Sequence, residues 1–301
     1  MNKEKYGTFF AIVAAIISGF SIPLNKMFIV NLDPSVFTAL RSLLIGIVFF
    51  LIASYKSKFN FKKFKKVSWK YLMAIAVVGG SFAFLLFFSG LNLTTSGRAA
   101  FLQKTMPLYI TVLAFVFLKE KISKKYLYAL LLMFIGTLAI YFSQINISTL
   151  WSNPSLGDIL IIGATFLWAV ENIIARKSMA KGENNFVVSF ARMFFGGLIL
   201  FAIVFLLGKS DLLLSLNSSQ ILNISISTLV LFGYVLFWYW SIKMINVSKA
   251  SSLLLLSPAI SLFLGTMIMG EPIPLMQLIG CVMIVLGSYL LSNVKSETNY
   301  V

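Results

Sequence analysis

The chain has 301 residues, of which 59% are hydrophobic and 11% charged, and a formal net charge of +16. A soluble domain is roughly half apolar and a quarter charged, so this composition excludes a soluble globular fold, which would have to expose large apolar patches. The basic residues lie in short segments between apolar runs, which argues against nucleic-acid binding, and the lack of histidine together with a single cysteine, Cys281, excludes an internal disulfide and argues against a metal or haem site.

Ten apolar runs follow one another along the chain. They cover residues 7–29, 35–54, 70–91, 97–118, 124–143, 157–178, 186–207, 219–242, 248–269 and 274–292. A helix needs about 20 residues to cross a bilayer and satisfies its own backbone hydrogen bonds, whereas these runs are too long for barrel strands. The first run follows a charged segment but lacks a clear cleavage site, so we expect it to be retained as helix 1 rather than removed as a signal peptide.

The basic residues between the runs predict the orientation. If the N-terminus is cytoplasmic, most of the 25 Lys and Arg residues fall in cytoplasmic segments, and the opposite side holds Lys26, Arg98 and Lys209. Because loops rich in Lys and Arg stay on the cytoplasmic side, we predict a multi-pass protein of the cell (plasma or inner) membrane with both termini in the cytoplasm.

The second half of the chain repeats the first. Rare residue types align at one constant offset: Arg41 with Arg192, Pro107 with Pro258 and Glu120 with Glu271. Each repeat holds five helices, an odd number, so the second repeat enters the membrane from the opposite side. We therefore predict an all-α membrane protein of ten transmembrane helices, built as two inverted five-helix repeats (5+5) over residues 1–145 and 155–294. Inverted repeats are typical of secondary transporters, although they also occur in channels and can be retained from a gene duplication without any role in transport.

Two patterns carry a resemblance to a known family. One is a Pro in helices 4 and 9 followed by a Glu just after the helix, in TMPLYITVLAFVFLKEKIS and LSPAISLFLGTMIMGEPIP. The other is the helix 6 segment ATFLWAVENIIARKSMA. Together with the ten-helix layout, they resemble the EamA-type transporters of the drug/metabolite transporter superfamily over nearly the whole chain. The first repeat departs from the pattern, with Lys119 where the second repeat has Gly270. The resemblance implies alternating access and a central cavity lined mainly by helices 1, 3, 4, 6, 8 and 9.

Polar residues at membrane depth are the candidates for substrate binding. A carboxylate such as Glu171 is costly inside a membrane and rarely faces lipid, so it is expected to bind a cationic or amine group or to carry a proton. A neutral or paired carboxyl that packs helices is the alternative. The candidates are Glu171, Asn172, Trp168, Lys104, Gln103, Ser21, Asn25, Tyr234 and Trp238.

Lys104 has no charged counterpart in the second repeat, where Leu255 aligns with it. An asymmetric charge suits a binding site, and Lys104 is expected to pair with Glu171 or to attract a substrate carboxylate. With both charges in one cavity, a zwitterion such as an amino acid would fit. The alternatives are a snorkelling lysine or a structural ion pair, and for Tyr234 and Trp238 an interfacial aromatic belt.

The residues duplicated between the repeats suggest structural or gating roles. Arg41 and Arg192 are expected to pair with or cap other groups, and Pro107 and Pro258 to kink their helices. Glu120 and Glu271 are expected to cap the helices that follow them, 5 and 10, or to act in gating.

No nucleotide-binding G-x-x-x-x-G-K-[ST] run and no nucleophile constellation is present in the sequence, so we expect neither a cofactor nor enzymatic activity. The predicted function is secondary transport of a small metabolite, an amino acid or related amphipathic solute, with export by alternating access. The alternative is an uncoupled facilitator or channel. The expected partners are a small-molecule substrate and the lipid bilayer, and a homodimer is an open option.

Overall fold

The computed structural model of the chain describes residues 3–28, 32–56, 67–91, 93–142, 155–269 and 273–296, and all regular secondary structure in these ranges is helical. We number the main helices in chain order. They are α1 Lys3–Phe28, α2 Pro34–Lys56, α3 Trp69–Leu91, α4 Ser96–Gln103 with Met106–Phe117, α5 Lys124–Tyr141, α6 Leu156–Ala180, α7 Asn185–Leu206, α8 Ser218–Met244, α9 Val247–Leu253 with Leu256–Met269, and α10 Leu275–Ser292.

Within the described residues, nine stretches, one in each of α2 to α10, are long and apolar enough to cross a bilayer. Many of their large apolar side chains are exposed, for example Val112, Phe115 and Leu229. Such a surface is stable against lipid and not against water. The all-helical membrane architecture is therefore confirmed, while the count of ten spans, which would add the 26-residue α1, stays a prediction.

The first helix of each repeat packs against helices of the other repeat. Helix α1 packs against α8 and α9 of the second repeat, and α6 packs against α3 and α4 of the first. Other contacts pair equivalent helices, α2 with α7 and α5 with α10. The α5–α10 contact is close because a Cβ on Gly136 would lie 2.6 Å from the carbonyl oxygen of Gly280. This mutual pattern fits a two-repeat architecture, and the repeat boundaries at 1–145 and 155–294 stay predictions.

Helices α4 and α9 are interrupted near their prolines. The break in α4 lies at Lys104 and Thr105, just before Pro107, and the break in α9 lies at Leu254 and Leu255, just before Pro258. Proline has no N–H to donate and its ring crowds the carbonyl four residues earlier, so a regular α-helix cannot run through it. Lys104 at the first break, and Leu254 and Leu255 at the second, lie beside the space between the repeats.

Helices α3 and α7 each contain one wider π-helical segment, Val78–Phe82 and Ala191–Phe195. The two segments touch at Gly80, where a Cβ would lie only 2.3 Å from the carbonyl oxygen of Arg192. They occupy non-equivalent positions of the two repeats, and π-bulges inside α-helices are frequently found at functional sites.

Candidate functional site

A cavity of about 420 Å³ lies between the repeats. Its wall is formed by residues of α1 to α4 and α6 to α9, so each repeat contributes four helices, and the volume is within the range of small-molecule sites. Helices 1, 3, 4, 6, 8 and 9, which were expected to line it, all do so. Helices α2 and α7 were not expected there, and they add Arg41 and Arg192.

The structure brings most of the predicted substrate-binding residues to this wall. They are Trp168, Asn172, Lys104, Gln103, Ser21, Tyr234 and Trp238. Glu171 is not part of the wall, and the side chain of Asn25 lies outside the described residues. Of the residues predicted to be structural, Arg41, Arg192 and Pro107 do line the cavity.

Aromatic rings form one side of the cavity. The ring centroid of Trp168 lies 5.3 Å from that of Phe84 and 5.3 Å from that of Phe87, and Tyr234 stacks on Trp238 at 6.3 Å. Such edge-to-face and offset arrangements are the favoured ones for aromatic pairs. The wall is thus largely apolar and suits the apolar part of an amphipathic molecule.

Hydrogen bonds hold the two tryptophans in place. Trp238 donates from Nε1 to Oδ1 of Asn172 over 2.8 Å, and Asn172 donates from Nδ2 to the carbonyl oxygen of Trp168 over 2.8 Å. Trp168 in turn donates from Nε1 to the carbonyl oxygen of Gly79, in the π-helical segment of α3, over 3.1 Å. These three linked hydrogen bonds hold the two indole rings in place before any solute enters, which lowers the entropy cost of binding.

Glu171 lies behind the wall, fully buried. The hydroxyl of Tyr239 donates to its Oε1 over 2.5 Å, and Nη2 of Arg192 lies 3.8 Å from its Oε2. Gly79 leaves the room for it, because a Cβ there would lie 2.2 Å from Cγ of Glu171. The structure therefore shows Glu171 as a paired carboxyl, which was the alternative to a direct role in binding. The Lys104–Glu171 pair is not formed.

The cavity itself has an excess of positive charge. Lys104 donates from Nζ to Oγ of Ser257 over 2.7 Å, which joins the break in α4 to the broken helix α9. The guanidinium of Arg41 lies 4.5 Å from the ring centroid of Phe37, and its Nε has no hydrogen-bond partner. In the described part of the chain, no carboxylate lies within 4.0 Å of Lys104 or Arg41.

Glu120 caps a different helix from the one expected. Its carboxylate accepts hydrogen bonds from the backbone N–H groups of Val247 (2.9 Å) and Ser248 (3.2 Å), at the start of α9. The expected helix α5 is capped instead by Ser123. Burial raises the pKa of the Glu120 carboxyl above its ordinary value in spite of these hydrogen bonds. Glu271, its counterpart, lies outside the described residues.

Some residues of the site are not predicted from the sequence. The duplication of Arg41 predicts a structural role for it, and Tyr239 and Ser257 are not among the predicted site residues. One signal is present in the sequence: α1 aligns with α6 at an offset of 150, one less than the 151 of the later helices. This offset pairs Gly7 with Gly157, Lys26 with Arg176 and Ser21 with Glu171. The first repeat therefore keeps the arginine of the Arg192–Glu171 pair and lacks its carboxylate. For Tyr239 and Ser257 the sequence holds no comparable signal.

The comparisons with known proteins agree with this architecture. The model of the EamA-like transporter family matches residues 5–142 and 155–293, so the resemblance seen in the sequence is confirmed. A Bacillus subtilis protein, "Uncharacterized transporter YyaM", is 27% identical over 291 residues, 95% of this chain and 93% of that protein. A Salmonella typhimurium protein, "Probable amino-acid metabolite efflux pump", is 24% identical over 296 residues, 94% of this chain and 93% of that protein.

A crystal structure of a protein 17% identical to this chain has the same fold, with a TM-score of 0.75 over 95% of this chain and 98% of the other. At this identity the likeness concerns the fold alone. The family and the relatives named above are transporters rather than enzymes, in agreement with the prediction.

Proposed function

The chain belongs to the EamA-like transporter family, and on that premise we propose that it is a secondary transporter that carries a small metabolite out of the cell through the cavity between its repeats. The observation that carries the proposal is the construction of this cavity. Fixed aromatic rings and buried cations meet in one space walled by both repeats, at a depth where unpaired polar groups are costly.

Alternating access is supported by the arrangement of the helices. Because α1 packs on α8 and α9 while α6 packs on α3 and α4, one relative movement of the repeats acts on both ends of the cavity. The breaks in α4 and α9 add points at which these helices can bend beside the solute. Export agrees with the name of the Salmonella relative, and the positions of the basic loops favour cytoplasmic termini in the cell membrane.

The wall suggests a division of roles. Trp168, Tyr234 and Trp238 would contact the apolar part of the solute, and Asn172 and Gln103 would supply hydrogen bonds. Glu171 would act from behind, by holding Arg192 at the edge of the cavity.

Counterflow in proteoliposomes tests the proposal. Vesicles containing the purified protein are loaded with unlabelled amino acids, organic anions or organic amines, and uptake of the labelled solute of each class is measured. We expect saturable uptake that is stimulated by the same solute on the other side. Tyr234→Leu should weaken it, whereas Tyr128→Leu, on an exposed face of α5 outside the cavity, should not. Flux that rises linearly with concentration, without trans-stimulation, would instead identify a facilitator or channel.

A further inference from the structure

Buried cations in this protein generally have an anionic or carbonyl partner. Lys249 Nζ lies 2.7 Å from Oε1 of Glu4 and also contacts two backbone carbonyls. Arg192 faces Glu171, and Arg176 donates to the carbonyl oxygen of Lys243 over 2.7 Å. Pairing of this kind is expected because an isolated charge in a low-dielectric interior is strongly unfavourable.

Arg41 and Lys104 depart from this rule, and both lie on the cavity wall. Each is more than nine-tenths buried, with relative exposures of 7% and 8%. In the described ranges Lys104 has only the neutral hydroxyl of Ser257 as a partner, and Arg41 has only the ring of Phe37. Neither contact neutralises a charge. The cavity therefore holds two uncompensated positive charges.

The repeat symmetry shows how the imbalance arises. Arg41 and Arg192 occupy equivalent positions in α2 and α7. The carboxylate that balances Arg192 is Glu171, and the equivalent position in α1 is Ser21, which lines the cavity. In the second repeat Glu171 is therefore the counterion of Arg192. In the first repeat the equivalent position holds the small polar residue Ser21, beside the open cavity.

We infer that the solute of the transporter proposed above is an organic anion, whose carboxylate binds in the cavity to Arg41 and Lys104. Its apolar or aromatic body then lies against the rings of Trp168, Tyr234 and Trp238. A guanidinium binds a carboxylate through two parallel hydrogen bonds, and an ammonium adds a point charge. An amine would meet two like charges, and the carboxylate of Glu171, which could attract it, is already engaged with Tyr239 and Arg192.

Two matched series of probes separate charge from shape. In each series one body carries an anion, a zwitterion or a cation: phenylpropionate, phenylalanine and phenethylamine, and isocaproate, leucine and isoamylamine. Binding to the purified full-length protein in detergent is measured by titration calorimetry. We expect the anion to bind about tenfold or more tightly than the zwitterion in at least one series, and the amine to show no binding, because like charges oppose it.

Variants connect the preference to the two residues. Arg41→Gln or Lys104→Met should each weaken anion binding about 10- to 100-fold, because each variant loses the binding free energy of a hydrogen bond between charged groups. Arg41→Lys keeps the charge and should lose less. Lys209→Gln removes one positive charge outside the cavity and should leave the affinity unchanged. If Arg41→Gln does not fold, Arg41→Lys and Lys104→Met still provide the test.

The outcomes separate this inference from the proposed function. Tighter binding of the zwitterion or amine in both series, absence of anion binding in both, or unchanged anion affinity in the folded variants would overturn the anion assignment. Saturable, trans-stimulated uptake of an amino acid alongside any of these results would leave the transporter proposal standing. Linear flux without trans-stimulation would count against the transporter proposal itself.

Discussion

The Glu171–Arg192 pair offers the sharpest test of how the site is built. At the observed 3.8 Å between Oε2 and Nη2, Coulomb's law with an effective dielectric constant of about 20 gives an attraction of roughly 4 kcal/mol. Arg192 borders the cavity, so water screens part of this attraction. We therefore expect a coupling free energy of roughly 2 kcal/mol, within the range typical of residues in contact.

The assay is a double-mutant cycle of Glu171→Gln, Arg192→Met and the double variant. The free energy of unfolding is measured in mixed micelles by titration with a denaturing detergent. Each single variant leaves a buried group without its partner and should be clearly destabilised, whereas the double variant should lose less than the sum. Tyr239→Phe removes the hydrogen bond to Oε1 of Glu171 without touching the ion pair, and it serves as a milder third variant. Additive losses would refute a structural pair. Wild-type stability of Glu171→Gln combined with loss of transport would return this carboxylate to substrate or proton binding.

Two further predictions concern packing and pH. Gly79→Ala should destabilise the protein by about 1–3 kcal/mol through overpacking, because the new Cβ would lie 2.2 Å from Cγ of Glu171. Gly163→Ala is the matched control, since its Cβ would meet nothing closer than 3.5 Å, and equal melting temperatures of the two variants would contradict the packing argument. Burial acts to raise the pKa of Asp33, but its hydrogen bond with Lys209 helps to hold that pKa below the ordinary value of 3.8. The ionised carboxylate thus adds stability at neutral pH, by about 0.5 kcal/mol for a pair this exposed, and this stability is lost as the pH falls through the lowered pKa. The melting temperature of Asp33→Asn should lie below that of the wild type at neutral pH and approach it in acid, and a gap that is independent of pH would exclude this linkage.

The sequence predicts the helices well because the bilayer imposes a length on each of them. The apolar runs at 70–91 and 124–143 differ from α3 and α5 by at most two residues at either end. Most of the cavity could be anticipated for a related reason: Trp168 and Asn172 lie one helical turn apart, and polar residues at that depth seldom face lipid.

The partners of the charged residues could not be predicted. Glu171 meets Tyr239 and Arg192 from two other helices, and these contacts depend on how each helix is rotated. The π-helical segment of α7, Ala191–Phe195, contains Arg192 and changes the rotation of that helix, and no glycine or proline within the segment marks it in the sequence. Duplication also misled the interpretation of Arg41. A residue repeated in both halves suggests scaffold, yet the loss of its counterion in one half makes it a candidate for binding.

The packing of the first helix of each repeat against the other repeat has a consequence for biosynthesis. Helix α1 is made first, but its packing partners α8 and α9 are made near the end of synthesis. The carbonyl oxygen of Gly7 in α1 accepts a hydrogen bond from the hydroxyl of Ser241 in α8 only after that helix has been made. About 190 residues separate the end of α1 from the start of α8, which corresponds to roughly 10–40 seconds of translation at 5–20 residues per second. During that time α1 must stay in the bilayer without its final neighbours. If translation stops after the first repeat, the truncated chain contains α1 without the helices α8 and α9 against which it packs. Such a chain cannot complete its native packing and would be a substrate for membrane-protein quality control.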